Sequence, residues 1–213
     1  MNGFDPDGSV REYWGKRLQS IESEKYRGWP CFKLPEDLWV YRRLIEQAHP
    51  AVIVELGTHH GGSALWFADQ LSALCGKGDV ITVDLRERDV PTDDRITYVV
   101  GDLADMSDMV KEIVDGRRAM VVEDAAHRYE VTLAALRLYE PLVPKGSYFV
   151  VEDTIVDTEF ALPAWDLHFR HSGAFGGVIK AIDEFLAGHP RWRRMENVDY
   201  GITMNAGGWL EAI

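Results

Sequence analysis

Several short apolar segments of the sequence end in an acidic residue, and they alternate with segments of helical periodicity. The apolar segments are rich in β-branched residues and lack alternating polar positions, which predicts strands buried on both faces. Strands of this kind, separated by helices, form a parallel sheet that is covered by helices on both sides. We therefore predict an α/β fold. The predicted strands are AVIVEL, VITVDL, ITYVVGDL, AMVVED and SYFVVEDT, and the predicted helices are 62–75, about 131–142 and about 177–186.

The first 50 residues differ in composition from the rest of the chain. They are polar with scattered aromatic residues, and Pro35 begins a predicted helix. We therefore predict an N-terminal helical cap over residues 1–50 and one α/β domain over residues 51–213. A hydrophobic content of 46% in 213 residues is enough for a proper core. Near the end of the chain, GITMN and GWLEA are candidate late strands.

The charge of the chain limits its partners. There are 23 Lys and Arg against 35 Asp and Glu, a formal charge of −12, which argues against nucleic acid as a partner. No apolar run approaches the roughly 20 residues of a membrane span, so we predict no membrane partner. The spacing of Cys31 and Cys75 matches no disulfide or metal-binding motif, and we predict that both are free thiols. These features together predict a cytoplasmic protein.

The segment ELGTHHGGS, residues 55–63, leads from a predicted strand into a predicted helix through several glycines. Glycines let a ligand approach the backbone, and the start of a helix presents N–H groups to it. The loop lacks the G-x-G-x-x-G spacing of dinucleotide-binding proteins. Glu55 would repel a pyrophosphate but suits the ammonium group of an amino-acid-like ligand. We therefore predict that Glu55, Gly57, Gly62 and Ser63 contact such a ligand.

Acids at the ends of the next two predicted strands extend this interpretation. Asp84 follows the glycine loop by about 20 residues, where a carboxylate can accept both hydroxyls of a ribose. Asp102 ends the third strand and is expected on the adenine side. Adenosine joined to an amino acid without phosphate is S-adenosylmethionine, and we predict this cofactor. The alternative is that Gly57, Gly61 and Gly62 only form a tight turn and that Asp84 is solvated.

A second group of acids lies at the ends of two later strands. Asp124 ends one strand, and Glu152 and Asp153 end the strand expected beside it. Converging carboxylates repel each other unless a cation or protons neutralise them, and hard oxygen ligands select Mg²⁺, Mn²⁺ or Ca²⁺. The three acids therefore predict a divalent metal site, with Mg²⁺ as its expected ion. Such an ion can bind a substrate hydroxyl and lower its pKa.

Histidines near these acids are candidates for proton transfer. His127 lies at the mouth of the predicted site, and an ordinary pKa of about 6.5 suits a general base. Its alternative role is structural, as a helix cap or a partner of a carboxylate. His59 and His60 lie in the glycine loop and can reach a substrate or solvent. His168 and His171 lie in a segment after the acidic strand that we predict to form part of a substrate lid.

Three stretches of the chain resemble the cephalosporin hydroxylase and rhamnosyl O-methyltransferase family, a branch of the class I S-adenosylmethionine-dependent methyltransferases. They are VELGTHHGGSALWFADQL, AHRYEVTLAALRLYEPLVPKGSYFVVEDT and ITMNAGGWL. The resemblance covers roughly residues 28–213. It implies a Rossmann-like, mostly parallel sheet of seven strands, methylation of hydroxyls on sugars or antibiotic precursors, and a divalent metal. It also implies a homo-oligomer formed through the N-terminal region.

One position departs from the pattern of the family. The hydroxylase-named members of the family that this chain resembles carry the pattern D-x-D-H-x-Y-E, with a metal carboxylate directly before the histidine. This chain has Ala126 at that place, between Asp124 and His127. Asp124 matches the first Asp of the pattern and is a candidate replacement. The substitution also supports an alternative, a binding protein that keeps the methyltransferase fold without its chemistry.

The residues and the resemblance together predict an S-adenosylmethionine-dependent O-methyltransferase, assisted by Mg²⁺. The expected acceptor is a small hydroxylated molecule, such as a sugar or a secondary metabolite. A nicotinamide-dependent oxidoreductase on a similar sheet is the other enzyme considered, and the missing G-x-G-x-x-G disfavours it.

Overall fold

The chain folds around a seven-stranded sheet. The computed structural model describes residues 15–17, 20–157, 176–196, 198 and 203–213. Within these ranges the strands are β1 (Lys25–Tyr26), β2 (Trp29–Pro30), β3 (Val52–Leu56), β4 (Asp79–Asp84), β5 (Ile96–Val100), β6 (Ala119–Glu123), β7 (Tyr148–Val151), β8 (Trp192–Arg194) and β9 (Trp209–Ala212). The α-helices are α1 (Pro35–Ala48), α2 (Gly62–Cys75), α3 (Ser107–Val114), α4 (Tyr129–Tyr139) and α5 (Val178–Gly188).

The large sheet has the order β5-β4-β3-β6-β7-β9-β8, and β1 and β2 form a separate hairpin. Strands β3 to β7 pair in parallel, whereas β9 pairs antiparallel with both β7 and β8. The chain runs outward from β3 through β4 to β5 and then returns to place β6 on the other side of β3. The prediction of a mostly parallel seven-stranded sheet is confirmed.

Helices cover both faces of the sheet because its strands are apolar on both sides. Along β3, Ile53 packs with α1 and α2, while Val52 and Val54 pack with α3, α4 and α5 on the opposite face. All five residues of β3 and all five of β6 are buried. Helix α1 belongs to the same core as the sheet, since Tyr41 and Leu44 lie in the cluster with Ile53.

The sequence prediction missed some elements. Helix α3 was not expected, although Val110 and Val114 on its inner face are fully buried. Strand β8 was not expected either; it adds the edge of the sheet beside β9. The GWLEA strand is present as β9, but Thr203–Asn205 of GITMN form a loop rather than a strand. Among the described helices, none has the length and apolar character of a membrane span.

The reversal of the winding direction positions the site. In an open parallel sheet the crevice beyond the carboxyl ends of the strands, where the order reverses, is the place for ligands. Here the reversal lies between the adjacent strands β3 and β6, since the chain leaves β3 towards β4 and leaves β6 towards β7. The residues that follow these strands therefore meet at one edge of the sheet.

Candidate active site

Two cavities adjoin at the carboxyl edge of the sheet. The first has a volume of about 320 Å³ and the second of about 460 Å³. The first is lined by residues that include Phe32, Lys33, Ser63, His127 and Asp153. The second is lined by residues that include Asp84, Leu85, Arg86, Asp102 and Ala126. The residues that line both are Gly57, His59, Asp124 and Ala125.

Glu55 is a fully buried acid in the middle of the sheet edge. One carboxylate oxygen, Oε2, accepts a hydrogen bond from Thr82 Oγ1 at 2.8 Å, and Ser63 also hydrogen-bonds the side chain. The other oxygen, Oε1, has no hydrogen-bond partner within the described residues. Burial raises the pKa of Glu55 to about 7, against the opposing charge of Lys33. A buried carboxylate oxygen without a donor is a suitable acceptor for a ligand ammonium group.

The glycines of the loop make room for the chain itself. Gly57 has a φ of +112°, and a Cβ on it would lie 2.0 Å from the backbone oxygen of Asp124. A Cβ on Gly62 would lie 2.1 Å from the backbone oxygen of Pro30 in β2. The sequence prediction assigned these glycines to the approach of a ligand. In the structure, the closest neighbours of the two positions are protein carbonyls, although Gly57 also lines both cavities.

Asp84 is held in place at the end of β4, where it lines the second cavity. Its carboxylate accepts backbone N–H groups from His59 and Arg86, each at 3.1 Å, and it pairs with Arg88 at 3.2 Å. Its side chain is only 11% exposed, so it is not the solvated acid of the alternative interpretation. Asp102 lines the same cavity and accepts the N–H of Ala104 at 2.8 Å. The structure therefore brings these two acids together around one cavity.

Asp124, His127 and Asp153 form a cluster in the first cavity. One ligand atom from each lies within 4.8 Å of the others. The Nε2 atom of His127 is 3.7 Å from Asp124 and 3.4 Å from Asp153. Their side chains are 13 to 26% exposed and accessible to a small ligand. The backbones of His127 and Asp153 both have positive φ, 47° and 54°, which turns the chain sharply at the ends of β6 and β7.

Glu152 is separated from this cluster by Lys33. The Nζ atom of Lys33 donates to Glu152 Oε1 at 2.6 Å and to Asp124 Oδ2 at 2.9 Å. Tyr41 of α1 donates its hydroxyl to the same Glu152 oxygen at 2.5 Å. Burial lowers the pKa of Lys33, but Asp124 and Glu152 outweigh burial and raise that pKa well above its ordinary value of 10.5. Lys33 is therefore a charged ammonium group, and Glu152 is its buried partner.

The carboxylates around His127 favour its charged form. Burial lowers the pKa of His127, but Asp153, Asp124 and Glu123 outweigh burial and raise it above the ordinary 6.5. A general base must be neutral to accept a proton. The surrounding acids thus reduce the neutral fraction at neutral pH, and they stabilise the imidazolium that proton transfer would form.

Three supporting residues were not identified from the sequence. Lys33 and Tyr41 reach the acids from the N-terminal part of the chain, and the Asn205 side-chain oxygen accepts the N–H of Asp153 at 2.9 Å. No local pattern around these residues signals a site, because their partners lie far away in the sequence. The predicted lid residues His168 and His171 fall outside the described residues.

Aromatic side chains border the first cavity. Phe32 is 39% exposed, and its ring centroid lies 5.2 Å from that of His59 and 5.9 Å from that of His60. All three residues line the cavity. They provide a partly apolar surface near the acidic cluster, as an organic acceptor requires.

The donor atoms are compatible with a divalent ion. Two carboxylates and an imidazole within 4.8 Å offer ligands that Mn²⁺ accepts, and the carboxylates suit Mg²⁺. The ammonium group of Lys33 is bonded to one of these carboxylates and adds a positive charge beside the cluster. The residues present therefore fit a cation, with Lys33 as an opposing charge.

Comparisons with other proteins agree with this architecture. The family profile described as Rhamnosyl O-methyltransferase/CmcI matches residues 19–213. The chain is 27% identical over 220 residues to the Rhamnosyl O-methyltransferase of Mycobacterium leprae (strain TN). The aligned region covers 97% of this chain and 92% of that protein. A structure of CmcI with Mg and S-adenosylmethionine aligns with a TM-score of 0.67 and 20% identity, covering 100% of this chain and 88% of that one.

A second solved structure is more distant. The methyltransferase MycE of the mycinamycin biosynthetic pathway, in complex with Mg, S-adenosylhomocysteine and mycinamycin VI, aligns with a TM-score of 0.51 and 14% identity. It covers 91% of this chain and 50% of the MycE chain. The fold is thus that of the class I S-adenosylmethionine-dependent methyltransferases. Within that class, the chain belongs to the Rhamnosyl O-methyltransferase/CmcI family.

Proposed function

We propose that this protein transfers the methyl group of S-adenosylmethionine to a hydroxyl of a small molecule, such as a sugar or a secondary metabolite. The observation that carries the proposal is the pair of adjoining cavities at the reversal of the sheet. The second is bordered by Asp84 and Asp102, and the first by the acidic cluster with His127. The two meet at Gly57 and Asp124, where a cofactor lying across both would present its methyl group.

The cofactor would be held by residues that line the two cavities and by two predicted ligands, Glu55 and Gly62, that line neither. Glu55 offers its unpaired Oε1 to the ammonium group, and Ser63 keeps the Glu55 carboxylate oriented. Asp84 accepts the ribose hydroxyls, and Asp102 lies toward the adenine, as the sequence predicts. Gly57 lets the chain pass beside the ligand, and Gly62 allows α2 to begin against β2. The absence of phosphate-binding spacing suits a cofactor that has no pyrophosphate.

The acceptor would bind in the first cavity. Its hydroxyl oxygen would bond to the methyl carbon as the methyl–sulfur bond breaks and S-adenosylhomocysteine leaves, and His127 would take the hydroxyl proton on its imidazole. Asp124 and Asp153 stabilise the resulting imidazolium, since Nε2 of His127 lies 3.4 Å from Asp153. Phe32 and the two loop histidines exclude water from the reacting atoms on the open side.

A divalent ion has a place in this proposal. Asp124 and Asp153 would hold it. Glu152, the third predicted ligand, lies outside that cluster because its Oε1 already accepts hydrogen bonds from Lys33 and Tyr41. When bound, Mg²⁺ would polarise the acceptor oxygen as a Lewis acid. Relatives in the structural comparison contain Mg beside S-adenosylmethionine or S-adenosylhomocysteine, which supports the same arrangement here.

Calorimetric titration with S-adenosylmethionine and S-adenosylhomocysteine tests the cofactor. We expect micromolar binding that Asp84→Asn weakens at least about tenfold, because a ribose hydroxyl loses a charged acceptor. Asp94→Asn is the matched control, since Asp94 is an exposed acid of a nearby loop and its substitution makes the same change in charge. If neither compound binds, the methyltransferase proposal is contradicted. NAD in the same titration tests the oxidoreductase alternative.

A second candidate function follows from Ala126 and Lys33. A missing carboxylate before His127 and an ammonium group among the acids leave fewer ligands for a catalytic ion, which favours a protein that binds the cofactor without turnover. A panel of hydroxylated sugars and phenols, assayed for S-adenosylhomocysteine release, separates the two. Product formation supports the enzyme, whereas cofactor binding with no product on any acceptor supports the binding protein.

A further inference from the structure

Lys33 is a fixed cation inside the acidic pocket. Its side chain is 2% exposed, and its Nζ bonds two carboxylates that end different strands, Asp124 after β6 and Glu152 after β7. A buried lysine in such contacts stays charged because it gains two charge-assisted hydrogen bonds. Lys33 is also among the residues that line the first cavity, together with Asp124, His127 and Asp153.

The contacts of Lys33 use the same acids that a divalent ion would need. Glu152 Oε1 already accepts from both Lys33 and Tyr41, and its side chain is 6% exposed. Asp124 has one oxygen on Lys33 and the other 3.7 Å from His127. A cation that bound to Asp124 would therefore lie beside an existing positive charge.

The residue directly before His127 is consistent with Lys33 as the counter-ion of these acids. Ala126 offers no carboxylate directly before His127, so Asp124 and Asp153 are the two partly exposed acids of the cluster. Lys33 compensates Asp124 and Glu152 from within the chain. The cluster consequently needs less positive charge from a bound ion than its number of acids indicates.

We propose that Lys33 is the resident cation of this pocket: it positions Asp124 and Glu152, and it lowers the affinity of the pocket for a divalent ion. The inference deepens the proposed function and rests on it for the role of the pocket. Removal of the ammonium group frees Asp124 for an external cation. Lys33 therefore decides whether the acids carry their own counter-ion or take one from solution.

The test is a titration of the full-length protein with Mn²⁺ alone, followed by the electron paramagnetic resonance signal of free Mn²⁺. We expect Lys33→Met to bind Mn²⁺ about tenfold or more tightly than the natural chain, because one nearby positive charge is removed. Lys77→Met is the matched control; Lys77 is exposed after α2, and its loss changes the net charge equally. Structural damage would lower Mn²⁺ affinity, so a gain is specific to the proposal.

Lys33→Met leaves the buried Glu152 without its charged partner, and a second variant controls for this destabilisation. The double substitution Lys33→Met with Glu152→Gln removes both charges of the buried pair. We expect a smaller gain in Mn²⁺ affinity, because Asp124 is freed but one nearby negative charge is lost with the positive one. Lys33→Arg keeps a cation and should bind Mn²⁺ no more tightly than the natural chain. Unchanged or weaker Mn²⁺ binding by both Met variants, with native circular dichroism, would overturn the proposal. No cofactor is present in this titration, so its failure is distinct from failure of S-adenosylmethionine to bind.

Discussion

Substitution of Glu55 by Gln should make the protein more stable at alkaline pH while removing a predicted cofactor ligand. Glu55 is fully buried, and burial raises its pKa from the ordinary 4.5 to about 7. The folded protein therefore binds this proton more tightly than the unfolded chain does. The free energy of unfolding consequently falls as the pH rises from about 4.5 to about 7, and this loss persists above pH 7.

The size of the effect follows from the two pKa values. At about 1.4 kcal/mol for each pH unit, a rise from 4.5 to about 7 costs the folded state about 3 kcal/mol at pH 8.5. A glutamine is neutral at every pH and can still accept from Thr82 through its amide oxygen. We therefore expect Glu55→Gln to raise the free energy of unfolding by about 3 kcal/mol at pH 8.5 and to change it little at pH 4.5.

Urea unfolding at pH 4.5 and 8.5, without cofactor, measures both values. Glu46→Gln on the exposed face of α1 is the matched control, and its effect should be the same at the two pH values. The reasoning is wrong if Glu55→Gln changes stability equally at both pH values or lowers it more at pH 8.5. Titration with S-adenosylmethionine at pH 8.5 should give weaker binding by the more stable variant.

Two further substitutions test the scaffold around the cavities. Gly57→Ala should destabilise the fold by about 2–4 kcal/mol, since its Cβ would lie 2.0 Å from a carbonyl oxygen at a φ of +112°. Gly188→Ala is the control, because a Cβ at Gly188 would meet no atom within 4 Å. Equal urea midpoints for the two variants would contradict the predicted clash. Asn205→Ala should cost about 1–3 kcal/mol because the N–H of Asp153 loses its acceptor; an unchanged urea midpoint would mean that water replaces the amide.

The sequence was sufficient for the parallel strands of the sheet and for their carboxyl ends. Glu55, Asp84 and Asp124 could be placed at one edge because buried parallel strands have a direction, and their carboxyl ends meet. Helix α3 was missed because its segment, SDMVKEIV, has only eight residues and half of them are polar. Strand β8 was missed because an edge strand of three residues carries little pattern.

The partners of the acids could not be predicted in the same way. Lys33 and Glu152 are 119 positions apart, and nothing in the sequence near either residue specifies the other. The glycine loop shows a different difficulty. The glycine-rich loop indicates that something approaches the backbone closely at Gly62, but only the fold shows that the neighbour is the carbonyl of Pro30.

Adjacent residues Glu152 and Asp153 have different surroundings. Glu152 is held by Lys33 and Tyr41, whereas Asp153 turns into the cavity through a positive φ and is fixed by Asn205. The pocket thus depends on segments that a ribosome makes at very different times. Asp124 and Glu152 follow their counter-ion Lys33 in the chain, whereas Asp153 precedes the Asn205 side chain that fixes its backbone. The final orientation of Asp153 therefore requires a segment that is synthesised after all three acids.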